Sequence, residues 1–314
     1  MKLNRTQLPT LAAFGVFLLF YAAACFKFPA FRSFDVFLNL FRDNAFLGVA
    51  AVGLTFVILS GGIDLSPGAV IAFVSVAAAW MIGKGIHPVL TIIACLAFGA
   101  LFGWGQGWMI TAFGLPPFLV TLGGMLLMRG VSYLASTESA AISHPVYSAL
   151  GSNKYFAPLV MLLIVAAAWF LLTQRPFGRN IFAIGGNEAS AELMGLPVKR
   201  TKWAIYALCG FCSALAGILY TLYTYSGDPN AAIGLELDAI TAVVIGGTLL
   251  SGGIGSVLGT LVGTLILGTI QTVISFDGTL NSHWTRIAIG GLLAIFLVVQ
   301  KLIERGIKTE TAHA

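Results

Sequence analysis

Asp64 is the acid set most deeply in apolar sequence, within Ser60-Gly61-Gly62-Ile63-Asp64-Leu65-Ser66-Pro67-Gly68. An ionisable group inside a long hydrophobic run is a functional candidate. The same stretch offers a quieter role. Its glycines end one apolar segment, Asp64 or Ser66 can cap the next helix, and Pro67 suits that helix's first turn. Helices broken inside a bilayer need protein or a cavity around their unpaired backbone groups, so such a break also suits the wall of a path. Ser60-Gly61-Gly62-Ile63 recurs as Ser251-Gly252-Gly253-Ile254, just after Val244-Ile245-Gly246-Gly247-Thr248-Leu249-Leu250. Both copies follow one apolar run and precede another, which hints at two halves with related hinges. Thr55, Ser60, Thr121, Thr248, Ser251 and Thr264 are path candidates by polarity alone, or hydroxyls bonded back to their own helix.

Enzyme constellations are missing. The sequence has no GxxxxGK[ST] loop, no HExxH, no paired catalytic carboxylates and no nucleophile elbow. His87, His144, His283 and His313 stand isolated, and no metal or cofactor is implied. Cys209-x-x-Cys212 has redox spacing but lies in a continuous apolar run, where cysteines behave as small hydrophobes.

A third stretch separates two long apolar runs: Phe182-Ala183-Ile184-Gly185-Gly186-Asn187-Glu188-Ala189-Ser190-Ala191-Glu192-Leu193-Met194-Gly195-Leu196-Pro197. Asn187 is a good N-cap, Glu188 suits the positive end of a helix dipole, and Gly195 with Pro197 makes a stop. The pattern predicts a short helix over 188–194, outside the membrane and exposing small and mixed side chains. It is either a linker between halves or a knob that docks into a partner's groove.

The elements that hold these stretches follow from composition. The 314 residues are 58% apolar and 9% charged, and mean hydropathy is +0.93. Soluble domains carry about a quarter charged residues. The net charge of +5 forms no basic stripe, so nucleic acid is not the partner; the solvent is lipid. Ten apolar segments emerge, over 8–26, 44–60, 67–83, 88–110, 115–134, 155–173, 203–225, 237–250, 255–276 and 284–303. The fold class expected is all-α: a polytopic bundle of about ten transmembrane helices. The 44–60, 67–83 and 237–250 stretches are shorter than the ~20 residues of a straight span and are expected to be broken or half-length. The first run is read as an uncleaved span. Phe34, Phe37, Leu38 and Phe41 suit either an interfacial helix or a linker packed on the bundle. Gly103 with Gly107, and Gly259 with Gly263, have the small-xxx-small spacing of close helix contacts.

Ten spans put both termini on one side. Lys2, Arg5, Arg175, Arg179, Lys199, Arg200, Lys202, Lys301, Arg305 and Lys308 share that side, ten basic residues against six opposite. The positive-inside rule therefore places both termini and the 174–202 loop in the cytoplasm.

Residues 53–73, 182–196 and 237–263 closely resemble the permease subunits of bacterial ABC sugar importers of the ribose, arabinose, xylose and galactofuranose type. Asp43–Gly48, Arg129–Leu134 and Phe276–Leu280 resemble the galactofuranose permeases in particular. The resemblance implies one transmembrane permease domain over 1–314 in the inner membrane, moving a monosaccharide, with ATP hydrolysis in a separate subunit. It implies three partners: a cytoplasmic ATP-binding subunit, a periplasmic sugar-binding protein and a second, different permease. It makes 187–195 a coupling helix, with Gly185, Gly186, Asn187, Glu188, Ala191, Glu192 and Gly195 coupling to the ATPase. Ser60, Gly61, Gly62, Asp64, Ser66, Thr248, Ser251, Gly252 and Gly253 fall on the path or its hinges. Pro67-Gly68-Ala69 departs from the usual Val-Gly-Ser and stiffens that helix start. A pentose permease is the alternative within this class. An ion-coupled transporter would need more intramembrane acids than Asp64, Glu236 and Asp238. A membrane subunit that only senses or scaffolds would carry no flux.

Overall fold

A computed structural model describes residues 8–278 and 282–312. Lys2, Arg5, Thr279, Leu280 and His313, used above, lie outside the described residues. Helices occupy each of the ten apolar segments: α1 (Leu8–Lys27), then, after a short helix α2 (Phe34–Asp43), α3 (Ala45–Leu59), α4 (Pro67–Gly83), α5 (Pro88–Phe113) and α6 (Pro117–Ala135). The chain continues through α7 (Pro145–Ser152), α8 (Phe156–Gln174), α9 (Pro176–Gly186), α10 (Glu188–Leu193), α11 (Val198–Thr224), α12 (Leu235–Ile245), α13 (Val257–Asp277) and α14 (Ser282–Ala312). Six described helices are long and apolar enough to cross a membrane, or seven if α2 and α3, bent by 52°, form one span.

Length and burial run opposite to a soluble protein. Every α3 residue but Phe46 is buried, and α4 and α12 are nearly as enclosed. A helix that is apolar all round belongs in a core. The long helices α1, α5, α6 and α8 are only 17–28% buried over their most apolar windows, against 72% for α11 and α13. Outward apolar faces of that kind need lipid, while the half-length helices that could not cross a membrane unaided sit within.

Small residues set the closest contacts. An added Cβ at Gly99, Gly103 or Gly107 would meet α11 backbone, and one at Gly259 or Gly263 would meet that of Gly246 or Ala242. Both small-xxx-small pairs therefore mark real helix interfaces, α5 on α11 and α13 against α12. All four cysteines are free, and Cys209 and Cys212 are buried where α11 meets Gly53 of α3.

Three details differ from the sequence reading. In α2, Leu40 is the buried residue and Phe34 is 69% exposed, while Phe37, Leu38 and Phe41 of the expected stripe are partly buried. α9 was not expected; Gly178, Ile181 and Ile184 bury one side of a helix whose sequence is broken up by Gly, Arg and Asn. A two-residue antiparallel pair, Ala140 opposite Gly227 and Ala141 opposite Ser226, ties the far ends of α6 and α11.

Candidate functional site

Past α3 the chain turns on glycine. Gly61 is left-handed (φ +79°), and its N–H and that of Gly62 bond back to Ile58 and Val57 at 2.9 and 3.0 Å. This closes off the last α3 carbonyls, as a helix stop requires. The next residues are not helical, and they alternate in burial: Gly62, Asp64 and Ser66 are buried while Ile63 is exposed. Asp64, 1% exposed, accepts through Oδ1 from the Ser66 N–H at 2.8 Å and the Ser66 hydroxyl at 2.7 Å. Ser66 itself occupies the N-cap of α4 with no side-chain cap bond, followed by Pro67 at N1. Asp64 is thus the acceptor of an Asx-type turn one step before the cap.

The second copy of the tetrapeptide folds differently but as tightly. Gly247, Gly252 and Gly253 are all left-handed (φ +93°, +83° and +76°), and Leu249 N–H bonds to the Ile254 carbonyl at 3.0 Å. Ser256 then caps α13 by accepting from Leu258 N–H. Thr248 is fully buried against Gly255, and Ser251 is exposed.

These two turns touch each other, and both touch the third motif. Gly253 N–H donates to the Leu59 carbonyl at 2.9 Å. A Cβ on Gly252 would lie 2.8 Å from Gly61 N and 3.1 Å from Gly185 Cα. A Cβ on Gly185 would strike the Leu59 carbonyl and Gly253 N, while Gly253 faces Gly186. Three stretches far apart in sequence therefore meet backbone to backbone, and only glycine fits there.

From this joint α10 projects. Asn187 Oδ1 accepts from Ser190 N–H at 2.8 Å, the cap expected from its type. Gly195 is left-handed (φ +78°), and Leu196 N–H returns to the Ala191 carbonyl at 3.1 Å, a glycine stop like that of α3. Glu188 pairs with Lys202 at 2.6 Å, pinning α10 to the start of α11. Ala191 is fully buried with Ile184 and Val198, so it seats the helix; Glu188 and Glu192 stay exposed. Leu193 and Met194 are 89% and 69% exposed, an apolar tip in place of the small, mixed surface expected. Their type alone did not single them out, since a six-residue helix carries too little periodicity to show which side is out.

Of the hydroxyls chosen by polarity, Thr55, Ser60, Thr121 and Thr264 bond to carbonyls three or four residues back in their own chain. Thr55 also meets Thr260 Oγ1 at 2.8 Å. A cavity of about 740 Å³ opens beside the joint, lined by Thr10, Leu11, Trp169, Phe182 and Gly253–Leu258. The start of α1 therefore lies at the same end of the bundle as α9 and α10.

The family described as branched-chain amino acid transport system, permease component, matches residues 36–297. The inner membrane ABC transporter permease protein YjfF of Escherichia coli is 50% identical over 95% of this chain and 93% of its own length. The ribose import permease protein RbsC of Bacillus subtilis is 40% identical over 91% of this chain and 90% of its own. The fructose import permease protein FruG of Bifidobacterium longum is 37% identical over 96% and 93%. No solved structure matches the chain.

Proposed function

From the premise that this chain belongs to that permease family, and is the inner-membrane subunit of an ABC sugar importer with its ATPase in a separate subunit, we propose that it couples ATP hydrolysis to monosaccharide passage through α10. The carrying observation is the joint. α10 presents an exposed Leu193–Met194 tip, and its base, Gly185–Gly186, rests on the end of α3 and on the turn between α12 and α13. In this reading the tip sits in a groove of the ATP-binding subunit. Closing the nucleotide sites pulls α10, and the joint passes the displacement to the half-length helices α3, α4 and α12 at the core. The α10 end, with both termini, is cytoplasmic. A second permease completes the path, most simply as a heterodimer, and a periplasmic binding protein selects the sugar.

Burying a Leu or Met side chain is worth about 1.5–3 kcal/mol each. Leu193→Asp with Met194→Asp is therefore expected to strip the ATP-binding subunit from the purified chain while leaving its amount in the membrane unchanged. Retention of the ATPase by the double variant would refute docking at this tip.

The cargo proposed is galactofuranose, on the strength of Asp43–Gly48, Arg129–Leu134 and Phe276–Leu280. Ribose is the second reading, favoured by the 40% identity to a ribose import permease. Uptake of labelled galactofuranose and ribose by cells dependent on this importer decides between them: whichever sugar, unlabelled, competes out the other's uptake is the cargo.

A further inference from the structure

A second polar cluster lies away from the joint and shares only Gly68 with the three glycine stretches. Arg129, half-buried in the second half of α6, donates through Nη1 to the carbonyls of Pro229 and Ala231 at 3.1 and 2.7 Å. One turn further on, Tyr133 donates to Asn230 Oδ1 at 2.6 Å. The segment they hold, 228–234, is not helical. It runs back along α4: the Asp228 N–H donates to Ser75 Oγ at 3.1 Å, and a Cβ added at Gly68 would strike both the Ala232 carbonyl and the Glu236 carboxylate. Ser75 to Gly68 is roughly 10 Å of helix at ~1.5 Å per residue. Irregular backbone thus reaches well into the bundle beside a buried helix, where it is tolerated only if protein covers it or water reaches it.

Two groups in this cluster keep unused bonding capacity. Glu236 Oε2 is buried without a hydrogen-bond partner among the described residues. The guanidinium has five N–H donors, and the two carbonyls engage Nη1 alone. Ile233 and Leu237 on either side of Glu236 are 57% and 58% exposed. A guanidinium edge turned to hydrocarbon is costly, so this face is turned to water or to protein.

We propose that Arg129 and Glu236 form a polyol-binding subsite on the route of the monosaccharide. One sugar hydroxyl donates to the free Glu236 oxygen, another accepts from the open edge of the guanidinium, and Ile233 and Leu237 meet the C–H faces of the ring. The pair suits a hydroxyl-rich cargo because it offers one strong acceptor and one strong donor. Gly68 is required to leave room for the carboxylate. The subsite rests on the reading of this chain as a sugar-importer permease.

The test is uptake of a panel of labelled pentoses and hexoses, each at saturating concentration, by cells carrying the complete transporter with wild type, E236Q or R129K. Each variant is expected to slow uptake by at least about tenfold, the order expected when a charged partner of a buried hydroxyl is weakened. It is also expected to change the ranking of sugars, with the ATPase still co-purifying. Equal slowing for every sugar, or no slowing, overturns the subsite and leaves the permease reading standing, because a clamp that merely holds 228–234 cannot rank sugars. Wild-type cells that take up none of the panel overturn both. Should the variants fail to reach the membrane, Asn230→Cys in the otherwise unchanged chain is labelled with a membrane-impermeant maleimide in intact cells. Labelling slowed by a transported sugar, and not by one that is not transported, supports the subsite; absent or unprotected labelling overturns it.

Discussion

Ser66 donates both its N–H and its hydroxyl to Asp64 Oδ1, beside the buried Cys209 thiol, so the residue caps through an oxygen that asparagine also possesses. Asp64→Asn is expected to transport at the wild-type rate, whereas Asp64→Ala should lose about 1 kcal/mol of stability, the usual cost of a missing cap acceptor. Uptake and thermal melting separate the cases: an Asn variant that folds normally yet carries no sugar would show that the charge is required. Sequence named both roles for Asp64 and could not choose, because the choice depends on who donates. Gly185 and Gly186 make a sharper pair. A Cβ at Gly185 meets backbone that cannot give way, while one at Gly186 meets nothing within 4 Å. Gly185→Ala should lower stability by about 1–3 kcal/mol, the range for overpacking, and Gly186→Ala by far less. Equal melting temperatures for the two variants would contradict the joint. The two neighbours are indistinguishable by type; only their distance from Leu59 separates them.

At the level of elements, a similar contrast exists in α5. A Cβ at Gly103 would run into the Tyr206 carbonyl of α11, while Gly105 faces open space. Gly103→Ala is expected to destabilise the chain in detergent by about 1–3 kcal/mol and Gly105→Ala to leave it unchanged, as thermal unfolding would record. The small-xxx-small spacing was legible in the sequence, but the partner helix was not, since spacing marks a close face without saying what approaches it. The ten helical segments were legible because apolar runs bounded by glycine, proline and charge leave little choice of secondary structure. The non-helical 226–234 segment and α9 were not, because both are short, mixed in character and shaped by contacts with distant chain. The polar clamp of Arg129 on 228–234 belongs to the same group: arginine in a span announces a cost, while its two acceptor carbonyls lie a hundred residues on.

Across the whole molecule, the proposed orientation rests on charge, and contacts separate two ends of the bundle. α1 begins beside Phe182 and Ser256, at the end that carries α10. Lys27 pairs with Asp277, and Lys154 with Asp35, at the other end. Reporter fusions to either terminus are expected to be active only as cytoplasmic reporters, and one inserted after Asn153 only as a periplasmic reporter; any other pattern would invert the proposed orientation. The joint below α10 carries one more consequence. Side chains absorb motion by changing rotamer, and cores yield slightly when pushed. Gly185, Gly252 and Gly61 have no rotamers to change, and they meet through main-chain atoms alone. The proposed coupling, made this way, would have little compliance, so a displacement at α10 would pass to α3 with little loss. It also leaves selection little room to tune the stroke there, because a side chain at Gly185 or Gly252 would separate the parts it is meant to connect.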